Sequence, residues 1–581
     1  ASLVGSEMCI RDRRCLMPEV HVVLDLGCPA SQTLWVEIRW LPQQPVQRWT
    51  LPVWTPGSYT VRDPSQHLHS LSLEQAGQAL TPTRRSPSSW QVDCECNQPL
   101  ILRYALEARQ LTVRTNLLDP SFASLCLSAV VMLVEGQRWT PHLLKVVTPS
   151  HWSVACPLAQ QDGDFVAEDF DHLVDAPVHA GVMDTLSLTV REQPHELVLI
   201  GAPPSGWSKD LPGQIELICE AVCDLLQSDP PSRVPYQLVL QLLDQGYGGL
   251  EHDNASVMQF PWTRLQEQGG MRSLLQLIGH EYLHQWNVRR LRPVDYVPYR
   301  YDKPIVSDGL WFAEGVTSYF DLFLPLLSGY SSRLDLLEDL AADLSHVLLN
   351  PGTQLQSLAD SSREAWVRLY KQTPANARSQ VSYYRLGTAL AFCLDVGLRQ
   401  VGGSLAATLR LLWGRLGRHG RGYGRQDLMA AIADVSPPLA DQLPGWLDGR
   451  GVLPIDRSLE TIGLLLDPVM ETQANAGWTL REGDGTVWID RTLAGGAAER
   501  AGLVPGDELV ALRDWRCRTL KRTQQLLDGP EQCQVTYSRR GLIGHTQLVL
   551  EKPGVDRYRL IWDPGASREA RLLRDQWFQV V

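Results

Sequence analysis

From about residue 20 to 190 the chain alternates apolar and polar positions or gathers short aliphatic runs, as at 20–26, 33–38 and 100–104, with turn residues between them. Period-two alternation broken by turns predicts antiparallel β-structure, so residues 17–190 read as a β-rich domain. Beyond residue 191 the rhythm lengthens. Residues 215–226 are amphipathic at helical spacing, 236–243 form an aliphatic strand, and the segments around His280, Glu314, Leu336 and Tyr384 are helical. Strands followed by helices predict an α+β domain with a helical lobe over 191–447. The Pro- and Gly-bearing stretch from 436 to 456 reads as a connection, with the linker itself at 448–458. A last unit at 459–553 has a strand at 486–489, a short Ala-rich helix at 496–502, a turn feeding a strand at 503–510, a helix at 518–527 and a hairpin around 539–544. Residues 554–581 follow as a C-terminal extension. The fold class expected is multidomain α+β.

Composition narrows the function classes. With 581 residues the chain is too long for one core, and 44% hydrophobic and 20% charged residues are ordinary for a globular protein. A net charge of −12 argues against nucleic acid as a partner, since phosphate binding needs clustered Lys and Arg. The Arg- and Gly-rich run at 414–425 holds one aromatic, Tyr423, and reads as a loop closing on the helix after Asp427. Twelve cysteines lack any CxxC pair, and several lie in apolar settings, such as Cys219, Cys223 and Cys393. They read as reduced core residues of a cytoplasmic protein. No apolar run reaches the roughly 18 to 20 residues of a membrane span. Residues 1–14 resemble translated adapter sequence, so 1–16 read as a non-native tail with Met17 as the natural start; a periplasmic location follows if native sequence upstream is missing.

The segment carrying most chemistry is His280-Glu281-Tyr282-Leu283-His284, set among Leu274, Leu275, Leu277 and Ile278. On a helix, residues four apart share a face, so two imidazoles can hold one zinc ion while the adjacent carboxylate, Glu281, points at its open position as general base. A catalytic zinc keeps three protein ligands, so a partner is needed downstream. Asp295, Asp302, Asp308 and Glu314 are in range; Glu314 is chosen because it sits between Phe312, Ala313, Val316 and Tyr319, where an unpaired carboxylate is costly and ligation removes the cost. Upstream, Gly248 and Gly249 let a backbone edge run close to a peptide, and Glu251 beside that edge can hold a free α-ammonium group. Downstream, the phenol of Tyr384, or of Tyr383 beside it, can donate to a developing oxyanion. Arg289, Arg290 and Arg292, just past the helix, are read as serving its dipole.

The last unit, with Ala501-Gly502-Leu503-Val504-Pro505-Gly506-Asp507-Glu508-Leu509, closely resembles a PDZ domain. PDZ domains capture peptide C-termini by strand addition, and Ile462-Gly463-Leu464 is the candidate carboxylate nest. Together with Trp54-Thr55-Pro56-Gly57-Ser58-Tyr59, 248–252, 280–287, 310–319 and 383–387, these motifs resemble the gluzincin metallopeptidases, most closely the glycyl aminopeptidase family, family sixty-one of the metallopeptidases. The Trp54–Tyr59 patch and the 170–177 patch are read residue by residue as turn chemistry. The resemblance implies a β-rich N-terminal domain, a thermolysin-like catalytic domain and a C-terminal PDZ domain. It further implies zinc on His280, His284 and Glu314, Glu281 as base, Glu251 as amine anchor, Tyr384 as oxyanion donor, and release of small N-terminal residues such as Gly and Ala. Two departures stand out: the gap from His284 to Glu314 is longer than in better-known aminopeptidases of the clan, and the exopeptidase loop reads GGLEH rather than GAMEN. The competing expectations are an endopeptidase fed by the PDZ unit and a non-catalytic PDZ scaffold. Peptide substrates and a C-terminal peptide ligand are the partners implied; the sequence does not fix the oligomeric state.

Overall fold

The computed structural model describes residues 19–371, 373, 376, 379–472, 475–528 and 531–580. The first part of the chain is β-rich, with one eight-stranded and two four-stranded sheets. Strand Thr33–Trp40 lies between Val20–Asp25 and Leu100–Glu107 and buries Leu34, Val36, Ile38 and Trp40 on one face, which is the alternation its sequence carries.

The next sheet has five strands, with Gln193–Ile200, Tyr236–Leu243 and Ala255–Pro261 parallel at its centre. Strand Tyr236–Leu243 is apolar without alternation because both of its faces are covered. Helices Leu211–Leu226 and Gly270–Leu283 pack over the sheet, while Val113 and Ala155 of the N-terminal domain cluster with Val198, Val239, Leu250 and Val257. Gln241 donates to Ser124 Oγ across that boundary at 2.9 Å. The N-terminal domain is therefore one wall of the central sheet. One edge of the sheet is the short antiparallel strand Gly248–Glu251, whose Gly249 carbonyl accepts from Arg114 Nη2 at 2.8 Å.

A helical lobe follows. The stretch expected as a linker is largely ordered: helix Pro437–Asp448 opens on proline, whose fixed φ suits a first helical turn, and helix Ile455–Thr461 begins soon after. The last unit has its own small core of Val487, Ile489, Leu503, Leu509, Val535 and Leu548. Its helices Ala497–Arg500 and Leu520–Leu527 and its hairpin Gln532–Arg539 with Leu542–Val549 stand where the sequence predicts them.

Two features there depart from expectation. The Gly463 carbonyl accepts from the Asp563 amide and Arg574 Nη1, and Gly463 packs against Ala566, so 462–464 is a covered strand start and not an open carboxylate nest. The supposed C-terminal extension is integral: Val555–Trp562 pairs with Leu464–Met470, and helix Arg568–Gln579 returns to the catalytic lobe. There Trp577 is fully buried against Phe323 and Phe392 and donates to Tyr319 Oη at 2.8 Å. Every cysteine among the described residues is free. No helix among the described residues is long and apolar enough to cross a membrane.

Candidate active site

Helix Gly270–Leu283 buries Leu274, Leu275, Leu277 and Ile278 and carries His280 on its last turn, with His284 as its C-cap. Glu314 reaches the same point from a π-helical turn, Trp311–Gly315, whose wider ring aims the side chain inward. The two imidazole Nε2 atoms lie 3.1 Å apart, and Glu314 Oε2 lies 3.6 Å from His280 Nε2 and 3.3 Å from His284 Nε2. Two nitrogens and a carboxylate oxygen thus converge on one point. These three residues are a group able to hold a metal ion. The other downstream acids are elsewhere: Asp308 pairs with Arg363 and Arg425, and Asp295 and Asp302 are exposed.

Each convergent side chain is fixed from behind. His280 Nδ1 meets Asp321 Oδ2 at 2.7 Å and His284 Nδ1 meets the Asn287 carbonyl at 2.5 Å, which leaves both Nε2 atoms free to face the metal point. Glu314 Oε1 accepts from Tyr59 Oη at 3.1 Å. Asn287 Nδ2 donates to the carbonyls of Phe312 and Ala313, tying the histidine helix to the π-turn. Burial alone would raise the Glu314 carboxyl, yet the two imidazoles hold it well below the usual carboxylate range. It is anionic at neutral pH, as a ligand must be.

Glu281 is buried beside this point, its Oε2 without a hydrogen-bond partner. Burial pushes its carboxyl up to about 7 against the pull of His280 and His284. A base poised there suits proton transfer near neutral pH. The edge strand crosses directly over it: a Cβ on Gly249 would stand 2.2 Å from the Glu281 carboxyl carbon, so only glycine lets the strand approach. Glu251, at the strand's end, is 3% exposed, and its Oε1 also lacks a partner.

Tyr384 lines the cleft with His280, Glu281 and Glu314, and Gly248, Gly249 and Glu251 line the opposite wall. The cleft holds about 490 Å³. Tyr383 is fully buried behind Tyr384, their rings stacked at 4.8 Å, and both phenols meet Tyr370 Oη. Of the two tyrosines, Tyr384 is the one in the cleft. Burial first, then the nearby Glu314 charge, keeps its phenol well above the usual value, so it stays a donor. Helix Arg385–Arg399 can cross the π-turn because glycines meet there: a Cβ on Gly315 would stand 2.5 Å from the Gly387 Cα.

Several site residues carry a different role from the one the sequence suggests. The Trp54–Tyr59 patch is part of the site and not turn chemistry alone: Tyr59 holds Glu314, Gly57 lies against the Glu251 carboxylate, and Trp54 packs on Tyr296, Tyr299 and Trp366. Residues Phe170–Val174 are a short helix, and Asp175 after it is buried. Arg289 is 2% exposed and pairs with Asp175 at 2.7 Å and Asp253 at 2.8 Å, so it clamps the N-terminal domain to the edge-strand loop. Arg290 and Arg292 donate to carbonyls close by. Asp321 and Asn287 carry no role in the sequence reading, although Asp321 shares a helical face with Glu314 two turns on. Arg289→Met is expected to strip the buried Asp175 carboxylate of its guanidinium and to cost about 3 kcal/mol, read as a lower denaturation midpoint.

Comparison with known proteins agrees with this geometry. The family model described as Peptidase M61 N-terminal domain matches residues 21–182, and the one described as M61 glycyl aminopeptidase matches 273–390, which spans the two histidines, Glu314 and Tyr384. The chain's N-terminal and catalytic parts thus match the two models of the M61 glycyl aminopeptidase family. No curated protein matches it by sequence. A crystal structure of an aminopeptidase N family protein from Idiomarina loihiensis is 25% identical with a TM-score of 0.90, over 96% of this chain and 100% of that one. The M1 zinc metallopeptidase of Deinococcus radiodurans shares the fold at 14% identity and a TM-score of 0.50, over 76% of this chain and 95% of that one. The chain is thus a multidomain α+β protein with the fold of these peptidases, a hydrolase of the aminopeptidase kind. The donor set fits a zinc ion: two imidazole nitrogens and a carboxylate are the ligands that such a centre takes from the protein, and all three residues line the cleft.

Proposed function

We propose that His280, His284 and Glu314 hold the zinc ion and that the cleft removes single residues from the N-termini of peptides. Zinc, when bound, supplies the Lewis acidity that polarises the scissile carbonyl and acidifies the attacking water. Glu281 takes the proton from that water and returns it to the leaving nitrogen. Tyr384 donates to the carbonyl oxygen as negative charge develops on it. Gly248 and Gly249 pair with the substrate backbone along the strand edge.

The observation that carries the exopeptidase reading is Glu251: a buried carboxylate in the cleft with one oxygen unpartnered, placed on the strand that flanks Glu281. Arg114 shares the cleft with Glu251, and the unpartnered carboxylate oxygen leaves a place for a substrate ammonium group. Preference for a small first residue such as Gly or Ala rests on the family description. Blocking the amine is therefore expected to remove activity: N-acetyl-Ala-Ala-Ala should be cut at least 100-fold more slowly than Ala-Ala-Ala, followed by chromatography of products. Equal rates would show that the amine is not read.

The C-terminal unit fits a PDZ-like peptide module within a gluzincin architecture. Its strand Trp478–Gly483 has a neighbour on one side only and runs beside helix Leu520–Leu527, the arrangement into which a peptide adds as a further strand. Free, mostly buried cysteines support a reducing, cytoplasmic location.

A further inference from the structure

We infer that the part of the substrate beyond the scissile bond lies in a continuous trough leading from the zinc cleft to the groove of the C-terminal unit, so that the enzyme selects long, unfolded peptide tails over dipeptides. The inference rests on the reading of the cleft as a peptidase site and adds the class of substrate that it takes.

Three cavities lie in a row and share wall residues. The zinc cleft shares Ala342, Asp343 and Arg385 with a larger cavity of about 850 Å³. That cavity shares Asp556 and Arg557 with a third of about 480 Å³, which is lined by Trp478 of the free edge strand and by Gln524 and Leu527 of the helix beside it. Arg385 directly follows Tyr384, and both line the zinc cleft. Arg385 pairs with Asp343 at 3.5 Å, and this ion pair marks the boundary between the zinc cleft and the middle cavity, past which the proposed tail runs. An extended strand advances about 3.3 Å per residue, so a tail of about twelve residues spans roughly 40 Å.

The walls of the trough are fixed to one another. Helix Arg333–Leu348 presents Asp339, Ala342 and Asp343 to the zinc cleft and Ser345 and His346 to the middle cavity. Ser345 Oγ accepts from the Tyr558 amide at 2.8 Å and donates to the Tyr558 carbonyl at 3.3 Å, which pins the C-terminal strand to that helix. Arg333 pairs with Asp575 at 2.9 Å on the returning helix. The C-terminal unit is thus held against the mouth of the catalytic lobe.

The middle cavity is lined by amides, hydroxyls and charges of both signs, among them Gln380, Ser382, His346 and Arg491, with few large apolar side chains. Such a surface hydrogen-bonds a peptide backbone without demanding a sequence. It offers little to a compact apolar ligand.

The test uses the full chain loaded with zinc. For the wild type, kcat/KM for a twelve-residue peptide with N-terminal Ala-Ala should exceed that for the dipeptide Ala-Ala by at least tenfold, chiefly through KM. In His346→Trp, which fills the middle cavity, and in Arg557→Glu, that ratio should fall to near 1. Both positions are exposed, so neither substitution disturbs a core. Independently, a photo-reactive residue near the end of the twelve-residue peptide, bound to the Glu281→Gln protein, should label 478–483 or 520–527. Equal kcat/KM across lengths, an unchanged ratio in both variants, or labelling elsewhere would each overturn the trough. Failure of the aminopeptidase reading looks different: acetylated peptides would then be cut as fast as free ones, whatever their length.

Discussion

Glu281→Gln is expected to lower kcat by about 10³-fold while zinc content stays that of the wild type. Glutamine has the shape of glutamate and fits beneath Gly249, but it cannot accept a proton from the attacking water. The Glu281 carboxyl is suited to that task because burial pushes it up to about 7, one oxygen has no partner, and it stands in the cleft beside both imidazoles. Two groups there are able to hold a metal ion, His280–His284–Glu314 and Glu251–Glu281–His284, and the first keeps all of its donors in this variant, so retained zinc places the ion on it. Metal analysis alongside steady-state kinetics checks both halves of the expectation. A variant within tenfold of wild-type kcat would assign the base elsewhere, and a variant that lost zinc would make Glu281 part of the metal point.

Tyr384→Phe should reduce kcat by about 10²-fold and leave KM near its wild-type value, because the phenol donates to charge that exists only in the transition state. Its partner is the control. Tyr383 is buried behind it and bears on the cleft through its neighbours Tyr384, Tyr370 and Tyr59, so Tyr383→Phe should cost less than tenfold. If the two variants reversed these magnitudes, the oxyanion donor would be Tyr383. If both lost about 10²-fold, the three phenols would be acting as one hydrogen-bonded unit.

The metal point was legible from sequence because its information is local or chemically costly. Two histidines four apart need only a helix to meet, and a carboxylate among aromatic residues needs a reason to be there. Strand Thr33–Trp40 was legible for a similar reason, since one buried face imposes period two. What sequence concealed depends on chain segments far apart. Tyr59 meets Glu314 across 255 positions, and Asp175 meets Arg289 across 114. Turn residues such as Pro56 and Gly57 look alike whether they merely reverse the chain or present a tyrosine to a metal ligand. The stretch around 436–456 misled because proline signals a break in general but starts a helix when it falls in the first turn. Arg289 was assigned to the helix dipole because its carboxylate partners arrive from another domain.

The tryptophan that seals the catalytic lobe at Tyr319 belongs to a helix at 568–579, beyond the C-terminal sheet. A chain that stops short of this helix leaves Phe323, Phe392 and the Tyr319 hydroxyl without the indole that covers them. A partly made molecule carries both histidines and the glutamate with no finished support beneath them.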